Sequence, residues 1–193
     1  MAAVRLWHKP VVLYSLVGIL LGALLVLGYL SLSRPVTTVI LVRHAEKKID
    51  PSDPDVHLSP EGEARAQEIA RVLGEAGVTA IYATQYMRTQ QTAKPLADRL
   101  SLPITKVDSS NSAEVVRQIR SQHKGGVVFV AGHNNRVPEI IKELGGPTFP
   151  TIPEDQYDNM FIVTLSGFGR VSVSKIKYGS SASASQQQMM VQP

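Results

Sequence analysis

The sequence predicts an α/β fold: a three-layer α/β/α sandwich around a mostly parallel sheet, preceded by one transmembrane helix. Three observations carry that expectation. Short runs of β-branched and aliphatic residues alternate with amphipathic segments of helical period. Turn and cap residues punctuate the switches between them. The first 32 residues contain a 20-residue stretch without a charge. The expected organisation is therefore a flank (residues 1–10), a membrane anchor (11–32), a globular domain (36–178) and a tail (179–193).

Val11 to Leu30 is the uncharged run. As a helix it spans ~30 Å, the hydrocarbon thickness of a bilayer. Trp7, Tyr14 and Tyr29 lie near its ends, where aromatic rings suit the interface. The run exceeds the ~7–15 residues of a cleaved signal peptide, and Leu30-Ser31-Leu32 is a poor small-x-small cleavage site. An uncleaved signal anchor is expected. Arg5, Lys9 and the α-amine precede it, against Arg34 after it. That asymmetry predicts a single-pass membrane protein with a cytoplasmic N-terminus and a periplasmic or extracellular domain. Gly18 and Gly22 would let two spans pack as a weak homodimer.

The same segment explains the charge. Residues 1–34 supply +3 of the formal +4, and the remaining residues are nearly balanced. Basicity confined to membrane flanks does not predict a nucleic-acid partner. The absence of cysteine excludes disulfides and thiolate chemistry.

After Ser33-Arg34-Pro35 the elements follow in order. Val36 to Val42 reads as a buried central strand, and Lys47 to Leu58 as a polar loop of the kind that borders sites. Ser59-Pro60-Glu61 opens a helix reaching about Ala76, closed by Gly77. Thr79 to Ala83 is a strand, and the helix from Tyr86 should kink or break at Pro95. Ile104 to Val107 is a strand, Ser112 caps a helix to about Ser121, and Gly126 to Val130 is a strand. Pro138 opens a helix ending near Gly145. Met160 to Leu165 and Val171 to Lys177 form a hairpin around Gly167-Phe168-Gly169. The Ser-, Ala- and Gln-rich end reads as disordered.

The chemistry sits just after the strands. Arg43 and His44 follow the first, Thr84, Gln85 and Arg88 the second, and Gly132, His133, Asn134 and Asn135 the fourth. In a parallel sheet these sets share one edge, where open α/β sheets bind ligands. Two helix N-termini would aim at the same place and favour an anion. Guanidinium forks suit phosphoryl oxygens, and an imidazole can act as a nucleophile. Each residue also has a plainer reading: Arg43 and His44 as the first polar residues after a strand, Arg88 as a solvated helix residue, His133 as a loop histidine packed on the sheet. His57 and His123 are given only such readings. No metal spacing, P-loop, Gly-x-Gly-x-x-Gly or Gly-x-Ser-x-Gly elbow is present.

Leu41-Val42-Arg43-His44-Ala45-Glu46-Lys47 resembles the Arg-His-Gly/Ala signature of the histidine phosphatase (phosphoglycerate mutase-like) superfamily. Leu58-Ser59-Pro60-Glu61-Gly62 is similar to its first helix start. Tyr82 to Ala93, containing Arg88, is similar to its second-arginine motif, and Val130 to Asn135 to its second-histidine motif. The resemblance spans about residues 36–177. It implies that His44 becomes a transient phosphohistidine, with Arg43, Arg88 and His133 on the phosphoryl oxygens and water completing hydrolysis, without a metal or organic cofactor. Such a phosphatase would take phosphate monoesters or phosphoramidates on a protein, sugar or envelope component.

The family's usual acid does not carry over, because Asn134 follows His133 and no insertion follows the second-arginine helix. Glu46, nearest the nucleophile, is the first candidate proton donor, ahead of Asp50, Asp53, Asp55 and Glu114. A missing donor would cost ~10²–10⁴ in rate. The competing expectation is a catalytically weak or idle phosphate-binding scaffold. A phosphomutase ranks lower, because it needs an enclosing lid.

Overall fold

The computed structural model describes residues 8–32, 35–167 and 169–179. Residues 1–7 of the N-terminal flank, Ser33-Arg34, Phe168 and residues 180–193 of the expected tail lie outside the described residues. The chain divides into two compact units, Met1–Pro35 and Val36–Pro193.

The first unit holds helix α1, His8–Leu32. Its side chains from Val12 to Leu30 are exposed, so nothing within the unit covers them. Val12–Leu30 has the length and composition to cross a membrane.

The second unit is built on a six-stranded sheet. Its strands are β1 (Thr37–Arg43), β2 (Val78–Thr84), β3 (Ile104–Val107), β4 (Val127–Gly132), β5 (Asn159–Leu165) and β6 (Val171–Lys177). They lie in the order β3-β2-β4-β1-β5-β6. The first four are mutually parallel; β5 runs antiparallel to β1, and β6 antiparallel to β5. The helices are α2 (Pro60–Leu73), α3 (Met87–Leu100), α4 (Ser112–Gln122) and α5 (Arg136–Glu143).

Strand β1 shows why its sequence is continuously apolar. Ile40 and Val42 join a core with Ile69 and Leu73 of α2 and Ala93 and Leu96 of α3. Val39 and Leu41, pointing the other way, join Val115 and Ile119 of α4 and Val137 and Ile141 of α5. Burial on both faces removes any place for a polar alternation. The three expected layers are present.

Four local expectations shift. Helix α3 continues through Pro95 to Leu100 without a break. Proline forfeits one backbone hydrogen bond, but buried Ala93, Leu96 and Ala97 hold the helix on both sides of it. Helix α2 stops at Leu73, and Gly77, at φ +71°, closes the following turn instead of the helix. Asn111, not Ser112, caps α4, its Oδ1 accepting the Glu114 N–H at 3.0 Å. Helix α5 begins at Arg136, two residues before Pro138. The Ser59 cap is as expected, its hydroxyl accepting the Gly62 N–H at 3.3 Å.

Gly62 also carries a packing constraint. The carbonyl of Glu46 accepts the Ser59 N–H at 3.0 Å and comes so near Gly62 that an added Cβ would stand 2.0 Å from it. Because that neighbour is backbone, Gly62→Ala should destabilise the domain by about 1–3 kcal/mol, measurable by urea denaturation of the full-length protein. A wild-type midpoint would mean that the segment after β1 yields easily.

Candidate active site

Because β1, β2 and β4 are parallel, their carboxyl ends meet at one edge. The ladder continues one step beyond β1, with His44 N–H donating to the Gly132 carbonyl at 2.8 Å. The imidazole of His44 therefore starts at the rim of the sheet, beside the segment carrying His133. A polar cavity of about 310 Å³ opens there, lined by Arg43, His44, Arg88 and His133, with Tyr86 and Glu154 among its other walls. The four residues that the sequence separates by up to 90 positions come together.

Each is held by its neighbours. His44 Nδ1 lies 2.8 Å from the Ala45 carbonyl. A carbonyl only accepts, so Nδ1 carries the proton and Nε2 keeps its lone pair. The Ala45 N–H donates to Thr92 Oγ1 at 2.9 Å, which ties the histidine segment to α3. His133 Nε2 is 3.0 Å from Thr84 Oγ1, itself 2.8 Å from Thr89 Oγ1. The two imidazole centroids are 5.5 Å apart. The Arg88 guanidinium lies 4.4 Å from the centre of the Tyr86 ring, which meets His133 edge to face. Nε of Arg43 and Nε of Arg88 are buried donors with no acceptor among the described residues. Such orphans are rare in folded proteins, and an oxyanion would satisfy both.

Burial lowers the His44 pKa to about 3, opposed by its bond to Ala45 and assisted by the charges of Arg43, His133 and Arg88. Burial and then Arg88, Arg136, Arg43 and Lys47 lower that of His133 to about 4. Both rings are neutral at pH 7. Unfolded histidine titrates near 6.5, so between there and pH 3–4 the unfolded chain binds protons that the native site refuses. Stability should therefore rise with pH across this window and be lost on acidification from 6.5 downward. Denaturant titration between pH 4 and 7 measures it, and His44→Asn should flatten the slope. An unchanged slope would show that His44 is not the group responsible.

Residues 39–111 match the family model described as the histidine phosphatase superfamily (branch 1). The fold agrees with solved structures over nearly the whole of each relative. The mycobacterial glucosyl-3-phosphoglycerate phosphatase aligns at TM-score 0.59 and 13% identity, covering 75% of this chain and 100% of its own. The protein histidine phosphatase SixA complexed with tungstate aligns at 0.57 and 20%, covering 72% and 96%. A phosphoserine phosphatase from Entamoeba histolytica aligns at 0.58 and 15%, covering 75% and 98%. Residues 39–111 are thus similar in sequence to the histidine phosphatase superfamily, and the globular domain shares the fold of these solved phosphatases. No curated protein sequence matches the chain.

Within the globular domain, Glu46 does not join the other four. Its carboxylate is turned to Arg65, which donates from Nε to both oxygens at 2.9 Å and from Nη2 to Oε1 at 2.7 Å. It does not line the cavity. The lesser candidates are also engaged elsewhere. Asp55 Oδ1 accepts the Met87 N–H at 2.7 Å, at the start of α3. Asp50 holds Ser52, and Glu114 accepts from Gln118 and pairs with Arg117. Asp53 accepts the Asp55 N–H. Glu46→Gln should lower stability by about 2–3 kcal/mol, since Arg65 is buried and loses its counter-ion, while turnover per folded molecule holds. A loss of turnover at full stability would restore Glu46 as the donor. His57 and His123 lie against Gln91 and Tyr82, away from the cavity.

Sequence reasoning missed Glu154, Tyr86 and Tyr157. Arg43 Nη2 pairs with Glu154 Oε2 at 2.6 Å, and its guanidinium lies 4.3 Å from the centre of the Tyr157 ring. The available signal was topological. Strand β5 starts beside the carboxyl end of β1, with Met160 opposite Val42, so the chain just before it has to pass the site.

Proposed function

We propose that the domain is a phosphatase that hydrolyses phosphate monoesters or phosphoramidates through a phosphohistidine at His44. The observation that carries this reading is the pinned, neutral imidazole of His44 facing a cavity shared with His133, Arg43 and Arg88. Nε2 attacks phosphorus while the guanidiniums and His133 hold the phosphoryl oxygens, and water then releases phosphate. Placement at a sheet edge, with unpaired buried Nε donors, suits the tetrahedral oxyanion these roles require. The tungstate complex of the structurally similar SixA agrees with such a ligand.

Two further parts of the reading rest on sequence and composition. Helix α1 has the length and composition of a membrane anchor, and the excess of positive charge before it supports a periplasmic or extracellular domain. The cavity is open and almost wholly polar. It suits a phosphate presented on a protein, sugar or envelope component better than an enclosed metabolite. An idle phosphate-binding scaffold would not need a nucleophile with its proton fixed on the far nitrogen.

Full-length protein in detergent should release phenol from an aryl phosphate, with His44→Ala inactive. Equal rates for the two would overturn the reading. Protease added to intact cells should reach the domain once outer barriers are opened, and protection there would reverse the orientation.

A further inference from the structure

Glu154 is the only acid, among the described residues, that lines the cavity. Its side chain is 73% exposed, yet both carboxylate oxygens are engaged. Oε2 accepts from Arg43 Nη2 at 2.6 Å and Oε1 from Asn134 Nδ2 at 2.5 Å. The Asn134 amide is oriented by its own Oδ1, which accepts the Asn135 N–H at 2.9 Å. The backbone is fixed as well: Arg43 Nη1 donates to the carbonyls of Pro153 and Glu154 at 2.8 Å, and the Ile152 N–H donates to the Asn134 carbonyl at 3.0 Å. The loop before β5 is thus tied to the residue preceding His44 and to the residue following His133. It brings one carboxyl group to the mouth of the site.

We infer that Glu154 is the general acid–base of the reaction, a role that rests on the phosphatase reading above. In the first step His44 Nε2 forms a bond to phosphorus and the bond from phosphorus to the leaving oxygen breaks. The electron pair stays on that oxygen, which takes a proton from the Glu154 carboxyl. In the second step water attacks phosphorus, the P–N pair returns to Nε2, and the proton lost by water goes to the Glu154 carboxylate. One proton leaves and one returns, so no co-reactant is needed. The proton for the first turnover arrives with the substrate, since a phosphate monoester has its second pKa at about 6. Before substrate binds, the carboxylate rests on Arg43 and Asn134, with Lys47, Arg88 and Arg136 on the other walls of the cavity and the two imidazoles between them. A phosphoryl group competes for Arg43 Nη2 and leaves the carboxyl beside the leaving oxygen.

The test is single-turnover alcohol release by full-length protein from esters of graded leaving group: 2,4-dinitrophenyl, 4-nitrophenyl, phenyl and glycerol phosphate. With Glu154→Gln the loss should grow along this series to ~10²-fold or more on glycerol phosphate, so that rate depends more steeply on leaving-group pKa. Glu154→Asp should recover part of it. A loss equal on all four esters, or none, would overturn the inference and leave Glu154 as a holder of Arg43. The phosphatase reading fails separately, if wild type and His44→Ala release dinitrophenol at the same rate.

Discussion

His44→Ala should abolish turnover of every ester, a loss on the order of 10⁴–10⁶ by analogy with removal of other covalent nucleophiles. The magnitude follows from what the residue supplies. Its Nδ1 proton is committed to the Ala45 carbonyl at 2.8 Å, so the lone pair on Nε2 needs no rotation or tautomer change before attack. Burial holds the ring neutral at pH 7. No neighbour can stand in: the His133 ring is 5.5 Å away, with its Nε2 occupied by Thr84. On the proposed roles, His133→Ala would remove one donor to the phosphoryl oxygens and leave the nucleophile, so ~10²–10³ is expected there. Brief incubation with a ³²P-labelled ester should leave an acid-labile label on wild type and none on His44→Ala. Label persisting without His44 would move the nucleophile elsewhere, and activity without any label would make the reaction a direct attack by water.

That the sequence placed Arg43, His44, Arg88 and His133 at one edge, where they line one cavity, has a physical cause. Each follows a strand whose apolar run is long enough to read, and parallel strands put their carboxyl ends on one edge whatever their order. Arg43, His44 and His133 sit within one residue of a strand end, and Arg88 lies in the first turn of the helix after β2. Glu154 had no such marker. It lies in a stretch between α5 and β5 with neither helical nor strand period, and only the antiparallel direction of β5 brings that stretch back to the site edge. Glu46 misled for the opposite reason. It is two residues from the nucleophile, but Arg65, one turn into α2, claims its carboxylate. Distance along the chain carried no information about either partner.

Arg43→Lys should be the second most damaging change, and it should damage stability and catalysis together. Arg43 is 2% exposed and its guanidinium is shared between two tasks. Nη1 donates to the Pro153 and Glu154 carbonyls at 2.8 Å and Nη2 to the Glu154 carboxylate, while Nε is left with no acceptor among the described residues. A lysine ammonium is a point donor on a flexible stem. It cannot cover two carbonyls and a phosphoryl oxygen at once, and it loses the flat contact with Tyr157. Leaving one or two of these carbonyls unsatisfied should cost about 2–3 kcal/mol, read as a lower urea midpoint. Loss of a preorganised donor should lower kcat/KM by ~10²–10³. Arg88→Lys is the comparison that separates the two tasks, because Arg88 faces the same cavity but holds no loop carbonyl among the described residues. It should lose activity to a similar degree with a near wild-type midpoint. If both variants kept their stability, Arg43 would be a phosphate ligand alone, and the loop carrying Glu154 would be held in place without it.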